Sequence, residues 1–161
     1  MMKLRVAVLA ILLCSFNAFA VQDVSCWDGD CLKSGWTRTD PVSQTFTDYQ
    51  CYRDGCNVSG WIAGGTQGVE HYTQCRPGGC FVSGWYTMDR QAQVMVSQTR
   101  CDGDCMTEGW TTYSPNGAVH IACLKHDCAK VGWTTVDPSG KGASAYCKQG
   151  GCFQVGWIES Y

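Results

Sequence analysis

The chain has 161 residues and a formal net charge of −2, and 13 of its residues are cysteines. Charged residues make up 16% and are scattered singly, so the chain lacks the basic block that a nucleic-acid-binding surface needs. A conventional aliphatic core is also excluded, because only two leucines and three isoleucines follow residue 20. Disulfides and aromatic packing must therefore stabilise the fold.

The first 20 residues have the pattern of a secretory signal peptide. Lys3 and Arg5 form a short positive region, residues 6–13 are apolar, and Ala18-Phe19-Ala20 supplies a small-residue cleavage site. We expect cleavage after Ala20, which leaves residues 21–161 with ten basic and 14 acidic residues and a net charge of −4. The apolar run is shorter than the ~20 residues of a membrane-spanning helix, and no second run follows, so we expect no transmembrane span in the mature chain.

The mature chain contains six copies of the motif C-x4-C-x3-G-W, spaced about 24 residues apart. Every mature cysteine lies in the motif, and only the fourth copy departs, with three residues between its cysteines instead of four. We expect residues 21–161 to form a single domain of six repeats. The copies are Cys26–Trp36, Cys51–Trp61, Cys75–Trp85, Cys101–Trp110, Cys123–Trp133 and Cys147–Trp157.

Each repeat has the pattern of a β-hairpin. β-branched and aromatic residues precede the first cysteine, as in residues 45–50, and turn-forming residues separate the two cysteines. We place the second cysteine and the Gly-Trp pair on the return strand, as in residues 80–87. An isolated hairpin is marginally stable, so neighbouring repeats must pack together. The prediction is an all-β tandem array of six disulfide-stapled β-hairpins, either solenoid-like or closed into a ring or barrel.

The spacing favours one disulfide within each repeat, because cysteines that flank a four-residue loop lie close enough to bond. A bridge between adjacent repeats is the alternative, since sequence does not determine connectivity. Either arrangement implies an oxidising compartment, and we predict a secreted or periplasmic protein. The favoured bridges are Cys26–Cys31, Cys51–Cys56, Cys75–Cys80, Cys101–Cys105, Cys123–Cys128 and Cys147–Cys152.

Some loop residues recur in every third repeat. The first and fourth share Asp-Gly-Asp before the second cysteine, and the third and sixth share Gly-Gly-Cys-Phe. This pattern indicates a duplicated set of three repeats with position-specific loops, as expected if some loops face a partner.

The tryptophans allow two interpretations. The six Gly-Trp indoles either fill the core or stack on a ligand such as a sugar ring or a quaternary amine. We favour the core, because the chain has few other large apolar side chains. Trp27 lies outside the repeat register and is a candidate for an exposed contact or for a terminal cap. The candidate ligand-stacking residues are Trp27, Trp36, Trp61, Trp85, Trp110, Trp133 and Trp157.

Metal binding and catalysis find little support in the sequence. The C-x4-C spacing in an exported chain differs from structural zinc sites, and residues 28–30 and 102–104 lack the further acidic ligands of a calcium loop. His71, His120 and His126 occupy unrelated repeat positions, and no nucleophile or phosphate-binding motif is present. We predict no metal, no cofactor and no enzymatic activity.

A Gly-Trp hairpin every 20-odd residues is similar to the pattern of cell-wall-binding repeats, which hold ligands between stacked hairpins and lack this cysteine framework. We predict a non-enzymatic exported binding module that presents rigid repeats to a protein or glycan partner. The alternatives are a structural or protective surface component and a secreted inhibitor or effector of one protein target.

Overall fold

A computed structural model describes residues 21–65 and 70–161, and the predicted signal peptide and its cleavage site lie outside these residues. Twelve strands follow one another in chain order, and each pairs antiparallel with the next. They are β1 (Val21–Cys26), β2 (Gly35–Asp40), β3 (Thr45–Cys51), β4 (Gly60–Gly65), β5 (His71–Cys75), β6 (Trp85–Asp89), β7 (Met95–Cys101), β8 (Gly109–Ser114), β9 (Gly117–Cys123), β10 (Gly132–Val136), β11 (Gly142–Cys147) and β12 (Gly156–Ser160).

The sheet closes on itself. β12 pairs with β1, with Val21 opposite Ser160 and Val24 opposite Trp157, so the twelve strands form a barrel. Closure removes the unpaired strand edges that an open array would leave at each end. The all-β repeat architecture is confirmed, and of the two arrangements left open by the sequence the barrel is the one adopted.

One short helix and two 3-10 turns interrupt the β-structure. The helix, α1 (Cys80–Ser83), lies in the loop of the third repeat, and the 3-10 turns are Trp27–Gly29 and Leu124–His126. All three lie between a first cysteine and the following Gly-Trp pair.

The six predicted disulfides are present, with Cα–Cα distances of 4.4–4.8 Å. The predicted placement of the second cysteine is wrong, however. The return strand begins at the Gly-Trp pair, so Cys80 lies in the loop on α1, and Cys75 faces Trp85 across the strands instead. The bridge therefore holds each loop across one end of the barrel, where the second cysteine of every repeat is fully buried.

Backbone hydrogen bonds connect five of the six pairs of neighbouring loops at this end, which we call the base. The Cys56 N–H donates to the Leu32 carbonyl at 2.7 Å, and the Cys31 N–H donates to the Phe153 carbonyl at 2.8 Å. The second of these bonds links the sixth repeat to the first. The same type of bond joins Cys80 to Asn57, Cys128 to Met106 and Cys152 to Ala129.

The glycine before each tryptophan is required by the approach of the next strand. At Gly60 the φ angle is +102°, and a Cβ there would lie 2.8 Å from the carbonyl carbon of Thr73 and closer still to its oxygen. Only glycine tolerates this combination of positive φ and close backbone contact. The equivalent glycine of every other repeat has φ between +86° and +120° and meets the same obstruction.

Candidate functional site

Strand alternation divides the side chains between the inside and the outside of the barrel. Cross-strand partners in an antiparallel sheet share a face, so Trp36, Arg38 and their partners Tyr49 and Thr47 lie on one side. Propagating this register around the twelve strands places all six Gly-Trp tryptophans on that side, which is the lumen.

The six indoles form a closed ring across the barrel, which we call the tryptophan ring. Neighbouring ring centroids are 5.1–6.3 Å apart, with interplanar angles of 49–63°. Four of these side chains are only 7–9% exposed, and the other two are half-buried. The order around the ring is Trp36, Trp61, Trp85, Trp110, Trp133, Trp157 and back to Trp36.

The lumen on one side of the ring contains two adjoining cavities with volumes of about 550 and 610 Å³. Trp61 lines the first cavity, and the other five ring tryptophans line the second. Tyr49 borders both cavities and stacks on Trp36, with centroids 4.9 Å apart and planes at 11°. The tryptophan ring is therefore part of the barrel interior and also the floor of these cavities.

Hydroxyl groups line the lumen wall beyond the floor, and we call them the hydroxyl belt. Thr73 and Thr87 are 3.1 Å apart at their hydroxyl oxygens, which leaves each hydroxyl with remaining hydrogen-bonding capacity. The belt consists of Thr45, Thr47, Thr73, Thr87, Ser97, Thr112 and Thr135.

A charged cluster completes the wall of the larger cavity. Arg38 pairs with Glu159 at 2.6 Å, and the hydroxyl of Tyr161 donates to the same carboxylate at 2.7 Å. The indole N–H of Trp157 donates to the other oxygen of Glu159 at 2.9 Å. The cluster is thus bonded directly to the tryptophan ring.

Burial and the carboxylate set the protonation of this cluster. Burial tends to lower the pKa of Arg38, but attraction to Glu159 and to neighbouring tyrosines outweighs it, so the pKa is raised and the guanidinium remains charged. Burial and the hydrogen bond to Glu159 raise the pKa of Tyr161 to about 12. Tyr161 is therefore a hydrogen-bond donor at neutral pH.

Two buried polar atoms of the lumen have no hydrogen-bond partner within the described residues. They are Nε of Arg38 in the larger cavity and Nδ1 of His71 in the smaller one. An unsatisfied buried polar atom carries a desolvation cost that a bound polar ligand can relieve.

A third cavity lies on the base side of the tryptophan ring, and we call it the chamber. It has a volume of about 130 Å³ and is lined by all six ring tryptophans together with Leu32, Phe81, Phe153 and Cys31. Phe81 and Phe153 meet with their ring centroids 5.6 Å apart. They come from the third and sixth repeats, the pair whose loops share Gly-Gly-Cys-Phe.

The other singled-out residues lie apart from the lumen. Trp27 is half-buried outside the barrel, beside Gly35, and its indole donates to the Thr37 hydroxyl at 2.9 Å. His120 bonds to the Thr111 hydroxyl on the outer face, and His126 ends the 3-10 turn Leu124–His126. Among the described residues no group of three or more potential metal ligands comes together.

Sequence reasoning singled out the tryptophans but missed the polar residues beside them. Arg38 is two residues after Trp36, and Glu159 and Tyr161 are two and four residues after Trp157. Since alternate residues of a strand share a face, continuing that spacing from each tryptophan would have identified the lumen wall.

No family model, curated protein or solved structure matches the chain. Within residues 21–65 and 70–161, no helix has the length and apolar character required to cross a membrane. The six disulfides are typical of a protein that resides in an oxidising compartment outside the cytoplasm.

Proposed function

We propose that the chain is a non-enzymatic exported binding module whose lumen receives the end of a glycan. The observation that carries this proposal is the combination of an indole floor with a wall of hydroxyls. A sugar ring presents a C–H face that packs on aromatic side chains, and its edge carries hydroxyls that exchange hydrogen bonds with threonine and serine.

The size and rigidity of the lumen support the proposal. The two cavities, of about 550 and 610 Å³, fall in the range of ~300–1,000 Å³ that is usual for small-ligand sites. The closed sheet and six disulfides hold the wall in place before a ligand arrives, which reduces the ordering cost of binding.

The charges of the wall favour a neutral glycan. Arg38 and Glu159 compensate each other, so their cluster provides donors and acceptors without a net charge. The unpartnered Nε of Arg38 and Nδ1 of His71 offer further hydrogen-bonding positions, one in each cavity.

The test uses two neighbouring threonines on β10. Thr135 lines the larger cavity, whereas Thr134 pairs with Ala122 and Ser144 on the opposite face of the sheet. A glycan array should first identify a neutral ligand, and calorimetry should then show Thr135→Val weakening it about fivefold, the effect of one lost hydrogen bond. Thr134→Val should bind like the wild type. Equal affinities for the two variants, or no ligand on the array, would refute the lumen site.

A protein partner is the second candidate, and exposed apolar residues at the base favour it. Val58 and Val82 are 57% and 70% exposed. They border a groove of about 800 Å³ that also includes Leu32, Phe81 and Met106, which we call the base groove. Val82→Asp should abolish affinity capture of such a partner without changing glycan affinity, whereas Thr135→Val should leave the capture unchanged.

A further inference from the structure

We infer that the chamber is a subsite for a neutral apolar group at the tip of the ligand. The inference rests on the proposed function, because the group is taken to belong to the glycan in the lumen. The glycan would then be a substituted one, with a polar sugar against the hydroxyl belt and an apolar substituent beneath the tryptophan ring.

The walls of the chamber are apolar throughout and favour an apolar group over water. Every lining residue is an indole, a phenyl ring, a leucine or a disulfide-bonded cysteine. Apolar cavities of this kind remain dry, and an engineered one of about 150 Å³ binds benzene or xenon. The chamber, at about 130 Å³, therefore suits a phenyl or a small branched alkyl group.

The chamber adjoins the lumen through shared side chains. Trp36, Trp85, Trp110, Trp133 and Trp157 line both the larger cavity and the chamber. A sugar on the lumen side of the tryptophan ring is therefore separated from the chamber only by these indoles. On the other side, Leu32 and Phe81 lie between the chamber and the base groove.

A neutral group fits the chamber better than a quaternary ammonium. In the part of the chain that the structure describes, no carboxylate lines the chamber, and Glu159 is already bonded to Arg38 and to the Trp157 indole. Without a counter-ion, only cation–π attraction would oppose the cost of removing an ammonium group from water, whereas a neutral group does not incur that cost.

The first experiment measures benzene binding to the mature oxidised protein by NMR titration. Leu32→Trp adds bulk to the chamber, whereas Met106→Trp adds the same bulk at the equivalent position of the fourth repeat, which lines the base groove instead. We expect saturable binding to the wild type and to Met106→Trp, and binding weaker by about tenfold or more in Leu32→Trp.

Equal benzene binding by Leu32→Trp and Met106→Trp would overturn the inference. Near-ultraviolet circular dichroism and thermal unfolding check that each variant is folded. Phe153→Trp, which also fills the chamber, replaces Leu32→Trp if that variant does not fold.

The second experiment tests the charge of the preferred group. Choline and 3,3-dimethylbutan-1-ol have the same shape, with nitrogen in one and carbon in the other. We expect the neutral alcohol to displace benzene at a concentration about tenfold lower or less. Stronger displacement by choline would overturn the assignment to a neutral group.

The third experiment separates this inference from the proposed function by comparing methyl and phenyl glycosides of one bound sugar. The phenyl glycoside should bind at least about tenfold more tightly, because its ring is transferred from water to the chamber, and Leu32→Trp should abolish the gain. Sugar binding without a phenyl gain would overturn the chamber and leave the lumen proposal standing. Benzene binding that Leu32→Trp abolishes, with no affinity for any glycoside, would support the chamber and refute the glycan.

Discussion

The close contact at the Gly-Trp pair predicts a large cost for adding one methyl group at Gly60. An alanine Cβ there would lie 2.8 Å from the Thr73 carbonyl carbon, and the obstruction is backbone, which cannot rotate away. The strand β5 would have to move or lose hydrogen bonds to β4. The φ of +102° adds conformational strain for any residue with a Cβ.

The expected destabilisation is about 4 kcal/mol. Strain at an unfavourable φ contributes roughly 1–3 kcal/mol, and forcing extra volume into a packed site contributes roughly 1–3 kcal/mol. By the usual relation for chains of this size, the midpoint of thermal unfolding should fall by about 10 °C or more.

Gly64 provides the matched control on the same strand. Among the described residues no heavy atom lies within 4 Å of a Cβ at Gly64, and its φ is not in the positive region. Gly64→Ala should therefore be neutral or stabilising by up to about 1 kcal/mol, through the unfolded chain. Denaturant unfolding of both variants without reductant measures the difference. If Gly60→Ala and Gly64→Ala unfold at the same denaturant concentration, the close approach does not explain the conserved spacing of glycine and tryptophan among the repeats.

Three further perturbations test other parts of the structure. Cys80→Ser should lower the free energy of unfolding by about 2–5 kcal/mol and leave Cys75 reactive to maleimide, and an unreactive Cys75 would contradict the pairing. Burial and the hydrogen bond to Glu159 raise the pKa of Tyr161 from 10.0 to about 12, so its stabilising contribution is complete below pH 10 and lost between these values. The free energy of unfolding of Tyr161→Phe should therefore fall less than that of the wild type between pH 10 and 12. An identical fall in both proteins would refute the hydrogen bond between Tyr161 and Glu159. A hydrogen bond from a serine hydroxyl and others from backbone N–H groups lower the pKa of Asp137 from 3.8, so its contribution is present above that pH and lost on further acidification. The difference in free energy of unfolding between the wild type and Asp137→Asn should therefore decrease as the pH falls below 3.8. A difference that does not change with pH would contradict stabilisation by the ionised carboxylate.

The repeat pattern was sufficient to predict the disulfides because the bonding partners are close in sequence. A five-residue separation restricts the two Cα atoms to a short distance in almost any turn, so the pairing does not depend on the rest of the fold. The position of the second cysteine within the repeat is a different matter. Phe81 and Val82 have strand propensity, yet they lie on α1, because the buried bridge at Cys80 and the hydrogen bond to Asn57 determine the local backbone.

Barrel closure and the lumen depend on contacts between residues far apart in the sequence, and local secondary-structure propensity does not predict such contacts. The pairing of β1 with β12 joins residues up to 139 positions apart, and Arg38 and Glu159 are 121 positions apart. The individual lumen residues were accessible in principle from strand alternation. Knowing that they face a shared cavity required knowing that the sheet closes.

The number of repeats determines the width of the space that the tryptophan ring encloses. Neighbouring indoles remain in contact around the ring, and in a hexagon of contacting members the centre is as far from each member as the members are from one another. At the same spacing, five members would lie closer to the centre than to one another and seven would lie farther from it, so the number of repeats sets the width of the central space. On the base side of the six indoles, two phenyl rings and a leucine occupy part of the central space. The space that they leave empty is the chamber. The same indoles can therefore stabilise the barrel and still present a surface to the lumen, so the core and ligand-stacking interpretations of the tryptophans are compatible.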